Sequence, residues 1–327
     1  MTRMNRREFV GAAAGATACA VAMTAASVRA FAQAHSTFQL SVLTDEISYD
    51  FDHACSVAAN DFGMQWVELR APWEKNIADF TPDDTAKALA VLKKYNLRVT
   101  DIASPLFKVD WPGAPLSKFS AQKGAKNDNF AATEDFKKQD DVLAACIELA
   151  KQFKTDKIRC FDFWRLDDVA PYRAAIDDKL RAAAETTRKQ GITLMIENEH
   201  ECNTVTAAEA ARTLAAVPAL MLNWDPANAA MHGETDVFPA GWELIPKDRI
   251  RHVHAKNVVR NAAEKLEWAP VDQGFIDWTA QFRALKAVGF REAVSLETHW
   301  RGAGTPEASS RISWAGMRKC LQDAGAL

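Results

Sequence analysis

The sequence predicts an α/β fold, a (β/α)8 TIM barrel built as one domain over residues 35–327. Three observations predict it. From Phe38 onward, short apolar stretches alternate with longer stretches of helical period. Eight such units fill roughly 290 residues, a little more than this barrel ordinarily takes. No G-x-G-x-x-G turn follows the first strand, as an open dinucleotide-binding sheet would need.

In chain order the strand candidates are "FQLSVLT", "WVELRA", "LRVTDIA", "KIRCFDF", "ITLMIEN", "LMLNWD", "IRHVHAK" and "EAVSLET". Each is a short apolar run of the kind that fills a parallel strand buried on both faces. The helix candidates between them are "TPDDTAKALAVLKKYN", "DDVLAACIELAKQF", "DDKLRAAAETTRKQG", "TAAEAARTLAAV", "IDWTAQFRALKAVG" and "SSRISWAGMRKCLQDAG". Several open on Thr, Ser or Asp, whose side chains cap free N–H groups, and close on Asn or Gly, which tolerate the left-handed turn. Residues 105–134 break the rhythm with a loop rich in Lys, Ser, Gly, Pro and Asn, far beyond the usual βα connection. Because it follows a strand it belongs on the C-terminal face. It is expected there as a lid, with Phe107 and Trp111 as its apolar closing residues.

Residues 1–34 stand apart. "MTRMNRREF" carries the Arg6-Arg7 pair, a mildly apolar Ala/Gly-rich stretch follows, and "AFAQA" offers small residues for cleavage. This resembles a twin-arginine export signal, which implies delivery of a folded chain to the periplasm by the export machinery. A net charge of −3 leaves no large basic surface, so nucleic acid is not an expected partner. Beyond the leader, Cys55, Cys146, Cys160, Cys202 and Cys320 are odd in number and lack any C-x-x-C spacing. They are expected as small core residues, not as a disulfide framework or a zinc knuckle.

Catalysis in a barrel takes place where strands end. The fifth strand ends on Glu197, the sixth leads to Asp225 in "NWDPAN", the seventh holds His254 in "RHVHAKN", and the eighth leads to Glu297 in "SLETHW". Three carboxylates and an imidazole, with no thiolate, suit a hard or borderline divalent ion: Mn, Mg, Co or Zn. His252 and His254 share a face because strand residues alternate, and His254 is the nearer to the C-terminal end. That favours His254 as ligand and leaves His252 a layer below.

The set is similar to the sugar phosphate isomerase/epimerase superfamily, the xylose isomerase-like barrels. The resemblance rests on "IEN", "DPAN", "HVHAKN" and "LET" and covers the chain from "LSVLTDEIS" to the last helix. It implies Glu197, Asp225, His254 and Glu297 as metal ligands, with Glu197 and Glu297 also as a catalytic acid/base pair. It further implies substrate contacts from Asn228 and Arg260, and places Lys256 in the family's H-x-K-D motif. That motif ends here on Asn257, so the role of the family's Asp is in question. Lys256, Glu199 and His299 join the substrate-binding candidates. His200 is a weaker one.

The expected activity is isomerisation or epimerisation of a non-phosphorylated sugar or keto-sugar. A divalent ion would polarise the carbonyl and stabilise an enediolate, and the two glutamates would remove and return the proton. A keto-glycoside lyase, hydrolase or dehydratase would use the same chemistry with a leaving group β to the carbanion. Abasic-site cleavage would need further histidines, which "VELRAPW" and "TDIASPL" lack. A non-catalytic periplasmic sugar-binding protein is the remaining alternative, and a homo-oligomer is left open. Glu68 and Arg70 are expected either to pair across the barrel mouth or to contact substrate. Trp73, Trp111, Trp164, Trp224 and Trp300 lie near strand ends, where aromatic faces suit sugar C–H groups, and most of them are expected as packing residues.

Overall fold

A computed structural model describes residues 36–120 and 136–327. The proposed leader at 1–34 and most of the long loop's second half lie outside the described residues. Eight strands form one parallel sheet: β1 (Gln39–Val42), β2 (Trp66–Leu69), β3 (Arg98–Ile102), β4 (Lys157–Cys160), β5 (Thr193–Glu197), β6 (Met221–Trp224), β7 (Ile250–Ala255) and, last in the chain, β10 (Ala293–Leu296). Their spatial order is β1-β10-β7-β6-β5-β4-β3-β2. A parallel bridge between Leu43 and Glu68 joins β1 to β2 and brings the two ends of the sheet together as a barrel. All eight strands fall inside the apolar runs of the sequence.

The helices follow their capping signals. They are α1 (Phe51–Ser56), α2 (Pro82–Tyr95), α3 (Gln139–Phe153), α4 (Arg173–Lys189), α5 (Ala207–Ala216), α6 (Pro226–His232), α7 (Trp278–Ala287) and α8 (Pro306–Asp323). Thr81 and Thr206 form capping boxes with Asp84 and Glu209, each contribution worth about 1 kcal/mol. Asn96 closes α2 in the left-handed region, as a C-terminal Asn can. The five described cysteines are free and buried. Among the described residues no helix is long and apolar enough to cross a membrane.

Two features depart from the sequence expectation. An antiparallel hairpin, β8 (Asn257–Arg260) with β9 (Leu266–Ala269), rises from the end of β7 over the C-terminal face. The root of the long loop is packed down: Phe107 is buried against Phe163, and Trp111 meets the same ring edge-on. Backbone N–H groups of Phe161, Phe163 and Trp164 donate to Leu106, Phe107 and Val109. Phe107 and Trp111 therefore anchor the loop to the exit of β4 instead of forming a closing face.

Asn257 explains the departure from H-x-K-D. Its amide nitrogen donates to the carbonyls of Val271 and Ile276 at 2.7 and 3.0 Å, and its amide oxygen accepts from the N–H groups of Val258 and Ile276. An ionised aspartate has no donor for the two carbonyls. Gly274 is forced by the same clamp, because a Cβ there would lie 2.1 Å from Asn257 Oδ1. Asn257→Asp is expected to destabilise the barrel by about 3 kcal/mol, since two buried carbonyls lose their donors and face a carboxylate. Urea unfolding measures it; an unchanged midpoint would show the amide donors to be dispensable.

Candidate metal centre

Each ligand candidate is placed by ordinary local structure. Glu197 is the last residue of β5, and the neighbouring Asn198 stitches β5 to the end of β6 by bonding both the N–H and the carbonyl of Asp225. Asp225 caps α6: its Oδ1 accepts from the N–H groups of Ala227 and Asn228, both at 3.0 Å, with Pro226 at the first helical position. That leaves Oδ2 turned to the barrel axis, without a hydrogen bond to another residue's N–H or O–H in the helix cap. His254 lies on β7, in register with Ser295 on β10, one residue short of Leu296 and two short of Glu297.

These four residues converge. His254 Nδ1 is 3.1 Å from Glu197 Oε1, 3.1 Å from Glu297 Oε2 and 3.7 Å from Asp225 Oδ2. One donor atom from each lies within 4.8 Å of every other, and all four residues are buried. Donors held at about 2.1 Å from one ion stand roughly 3 to 4.2 Å apart, so the set fits a divalent ion in both spacing and donor chemistry. The second ring nitrogen of His254 faces the opposite way, 3.0 Å from Glu68 Oε1. A carboxylate there fixes the tautomer, leaving Nδ1 as the ligand atom.

Glu68 and Arg70 take different partners. Glu68 sits at the level of His254. Arg70, two residues higher, binds Asp45 through Nε at 2.8 Å, Glu46 through Nη2 at 2.7 Å and Glu297 through Nη1 at 3.0 Å. On the other side Arg159, projecting inward from β4, donates to Glu197 Oε2 at 3.0 Å and to the carbonyl of Ala103. His252 lies below His254, between Asp101 at 3.3 Å and Asn223 at 3.1 Å.

Next to Glu297 opens a cavity of about 230 Å³, whose wall includes Glu46, Arg70, Lys108, Glu199, His299 and, of the four donors, Glu297 alone. Glu199 and His299 thus reach it, as does His200. Asn228 does not line it; its amide donates to Glu197 Oε1 at 3.1 Å and to the carbonyl of Asn198. Lys256 lies deeper than a substrate contact, its ammonium 2.5 Å from Asp225 Oδ2 and against Glu297 Oε2. Arg260 is not brought to the site. It is exposed on the hairpin, donates to the carbonyl of Glu264, and borders a separate hollow of about 510 Å³ that contains no comparable donor set. None of the five tryptophans singled out lines the cavity. The aromatic residues in its wall are Tyr49 and Phe161, and Trp268 on β9 packs against two wall histidines, its ring centroid 5.8 Å from that of His200 and 5.0 Å from that of His299.

Charge is balanced pair by pair. Burial works against the Glu297 carboxylate, but Lys256 and His254 outweigh it and hold Glu297 well below the usual carboxylate range. Glu197 is lowered in the same way, burial being overcome by His254 and Arg159. Glu199 is also held well below that range, by Lys108 and His200 against burial. Burial disfavours a charged His254, yet the carboxylates of Glu68, Glu297 and Glu197 lift its pKa well above the ordinary histidine value.

Residues 57–320 match the family model described as xylose isomerase-like TIM barrel. The fold is similar to that of the probable 3-DHS dehydratase AsbF, involved in petrobactin synthesis, from Bacillus anthracis, at TM-score 0.61 and 20% identity over 86% of this chain and 98% of that one. It is similar to a xylose isomerase-like TIM barrel protein from Mycobacterium smegmatis in complex with magnesium, at TM-score 0.61 and 15% identity over 84% and 89%. It is likewise similar to the 3-keto-D-glucoside 4-epimerase YcjR from E. coli, at TM-score 0.58 and 16% identity over 86% and 100%. No curated protein matches the chain.

Two outcomes are expected of the donor set. The carboxylates of Glu68, Glu297 and Glu197 favour the protonated form of His254, and a metal ligand must be neutral, so binding expels its proton. Mn²⁺ affinity should therefore rise with pH, by about tenfold per unit while pH stays below the raised pKa. Titrations at stepped pH read the slope, and a flat profile would mean that the imidazole is already neutral. Glu68→Gln should weaken Mn²⁺ binding by about 10- to 100-fold, because the nitrogen facing it loses its carboxylate. Unchanged affinity would remove Glu68 from the centre.

Proposed function

The chain belongs to the xylose isomerase-like TIM barrel family, and from that membership we propose that it is a divalent-metal-dependent isomerase or epimerase of a non-phosphorylated sugar or keto-sugar. The observation that carries this reading is the buried four-residue donor set on four strands consecutive around the barrel, one member of which, Glu297, also lines a polar cavity. Structures of this fold include a dehydratase and an epimerase by their own descriptions, which supports sugar-modifying chemistry.

A divalent ion bound by Glu197, Asp225, His254 and Glu297 would supply Lewis-acid polarisation of a substrate carbonyl. The remaining work falls to side chains. Glu197 and Glu297 stand on either side of His254 Nδ1, each with its second oxygen held by an arginine, Arg159 Nη1 on Glu197 and Arg70 Nη1 on Glu297. Fixed in this way, one can take a proton from a carbon next to the carbonyl and the other can return one, through an enediolate. Return to the opposite face is epimerisation; return to the neighbouring carbon is isomerisation.

The cavity supports a small, uncharged polyol. Its volume is that of roughly seven or eight waters, the scale of one small sugar. Its cations are already opposed by carboxylates: Arg70 by Asp45 and Glu46, Arg301 by Glu46, Arg159 by Glu197, and Lys108 by Glu199 at 3.7 Å. A phosphate dianion would meet those carboxylates as well as the cations. A keto-glycoside lyase or dehydratase is the second reading, favoured by His299. Glu46 holds its Nδ1 at 3.1 Å, and Nε2 sits 3.7 Å from Glu297 on the cavity wall, within reach of a leaving oxygen. With the leader at residues 1–34 read as a twin-arginine signal, the proposed compartment is the periplasm, where unphosphorylated sugars are the available substrates.

Glu197→Gln and Glu297→Gln should each lower turnover by about 10²- to 10⁴-fold, and a chelator should abolish it. The assay is solvent deuterium incorporation into a panel of ketoses and 3-keto-glycosides. Incorporation without release of a leaving group supports the isomerase, and release supports the lyase. Full turnover in both variants, or indifference to chelator in a protein that holds no metal, would end the proposal.

A further inference from the structure

Lys256 follows β7 directly, and only 2% of it is exposed. Its ammonium is bound to Asp225 Oδ2 and Glu297 Oε2, the same two oxygens that close on His254 Nδ1. Because Asp225 uses Oδ1 for the α6 cap, Oδ2 is the atom it can offer to an ion. One protein cation thus already sits on half of the donor set.

An ammonium and a divalent ion sharing these oxygens would stand only a few ångströms apart in a site from which water is largely excluded, and their repulsion there is weakly screened. The structure also offers the ammonium a second resting place. Lys256 Nζ lies 5.3 Å from the centroid of the Trp268 ring, a face that attracts cations. Glu199, a buried carboxylate on the cavity wall, is among the negative charges that act on it.

From this geometry we propose that Lys256 is the resident counter-ion of the metal-free centre, that a divalent ion must displace it, and that metal binding thereby turns its ammonium toward Trp268 and Glu199 at the cavity. The Lys256 ammonium keeps its proton and only changes partners; the one proton released is that of His254, as the ion takes its place on the imidazole. The arrangement keeps buried carboxylates compensated before the metal arrives, and it puts a positive group beside the substrate only once the metal is in place. The inference rests on the metal-dependent reading above, and its test separates the two.

Mn²⁺ is titrated calorimetrically into the chelator-stripped full chain, with Lys256→Met, Lys256→Gln and Lys108→Met alongside. Removing the charge at 256 should tighten Mn²⁺ binding by about tenfold or more. Lys108→Met, which removes a cavity cation paired with Glu199, should change affinity by less than about threefold. The metal-free Lys256 variants should melt lower than the parent chain and gain more on adding Mn²⁺. Should those variants fail to fold without metal, a crystal structure of the unmodified chain loaded with Mn²⁺ decides: Nζ is expected beyond about 3.5 Å from both oxygens. Equal affinity in the parent chain and the Lys256 variants, or Nζ still bound to Asp225 Oδ2 in the loaded protein, overturns the displacement while leaving the metal centre intact. Absence of any divalent binding in all four proteins overturns the metal-dependent reading and the displacement with it.

Discussion

The constraint on which the rest of this structure depends is the compensation of carboxylates buried inside a barrel. The interior of such a barrel is ordinarily filled by branched apolar side chains. Here Glu68, Asp101, Arg159, Asn223, His252 and Ser295 are all buried along the strands. An unpaired carboxylate in that setting costs several kcal/mol, so each must find a cation or a donor within the fold. Arg159 meets Glu197, Arg70 meets Glu297 and the Asp45–Glu46 pair, and Lys256 lies between Asp225 and Glu297. These pairs are weak devices for stability, because hydrophobic residues of equal volume would hold a barrel as well. Their presence is better explained by the chemistry that a concentrated set of oxygens makes available.

The same residues carry local structure and chemistry together. Asp225 ends a strand's exit and begins α6, so the geometry of a helix cap aims its free oxygen inward. Asn198 next to Glu197 is not a ligand; it ties the exits of β5 and β6 together and so sets the spacing between two of the four donors. Glu68 makes no contact with the cavity, yet it decides which nitrogen of His254 faces the donor set. A substitution at any of these positions changes distance before it changes charge, and donor distances within a few tenths of an ångström govern metal affinity.

How much of this was legible depended on range. The strands and most helices were readable because apolar period and capping residues are local signals. The four donors were readable because the strand ends of a parallel barrel must converge, whatever the loops do. Partners drawn from distant strands were not. Arg159 in "KIRCFDF" looks like any charged interruption of a strand, and nothing nearby says that it faces Glu197 on the neighbouring strand. Asp45 and Glu46 in "TDEIS" follow the first strand and could have been found by applying the strand-end rule to every strand instead of the last four. For Glu68 and Arg70, pairing and a substrate role stay open in the sequence because period two gives the face of a strand but not the height of a side chain along the barrel axis. Trp268 was missed because it lies on a hairpin that the alternating pattern did not reveal.

Lys256 and Asn257 show how the charge constraint reaches into the backbone. The carbonyl of Lys256 accepts from Trp278 Nε1 at 2.8 Å, and the Asn257 side chain clamps the segment leading into α7, so this corner is held on both sides. Fixing the backbone there restricts where the Lys256 ammonium can go, and keeps it within reach of the donor oxygens. An aspartate at 257 would add one more buried negative charge beside a centre whose Lys256, Arg159 and Arg70 are already engaged by other carboxylates. The amide does the mechanical work of a carboxylate's hydrogen bonds, adds two donors, and leaves the charge balance of the centre unchanged. The departure from the family motif at this one position is thus a consequence of the same compensation that places every other polar side chain in the barrel.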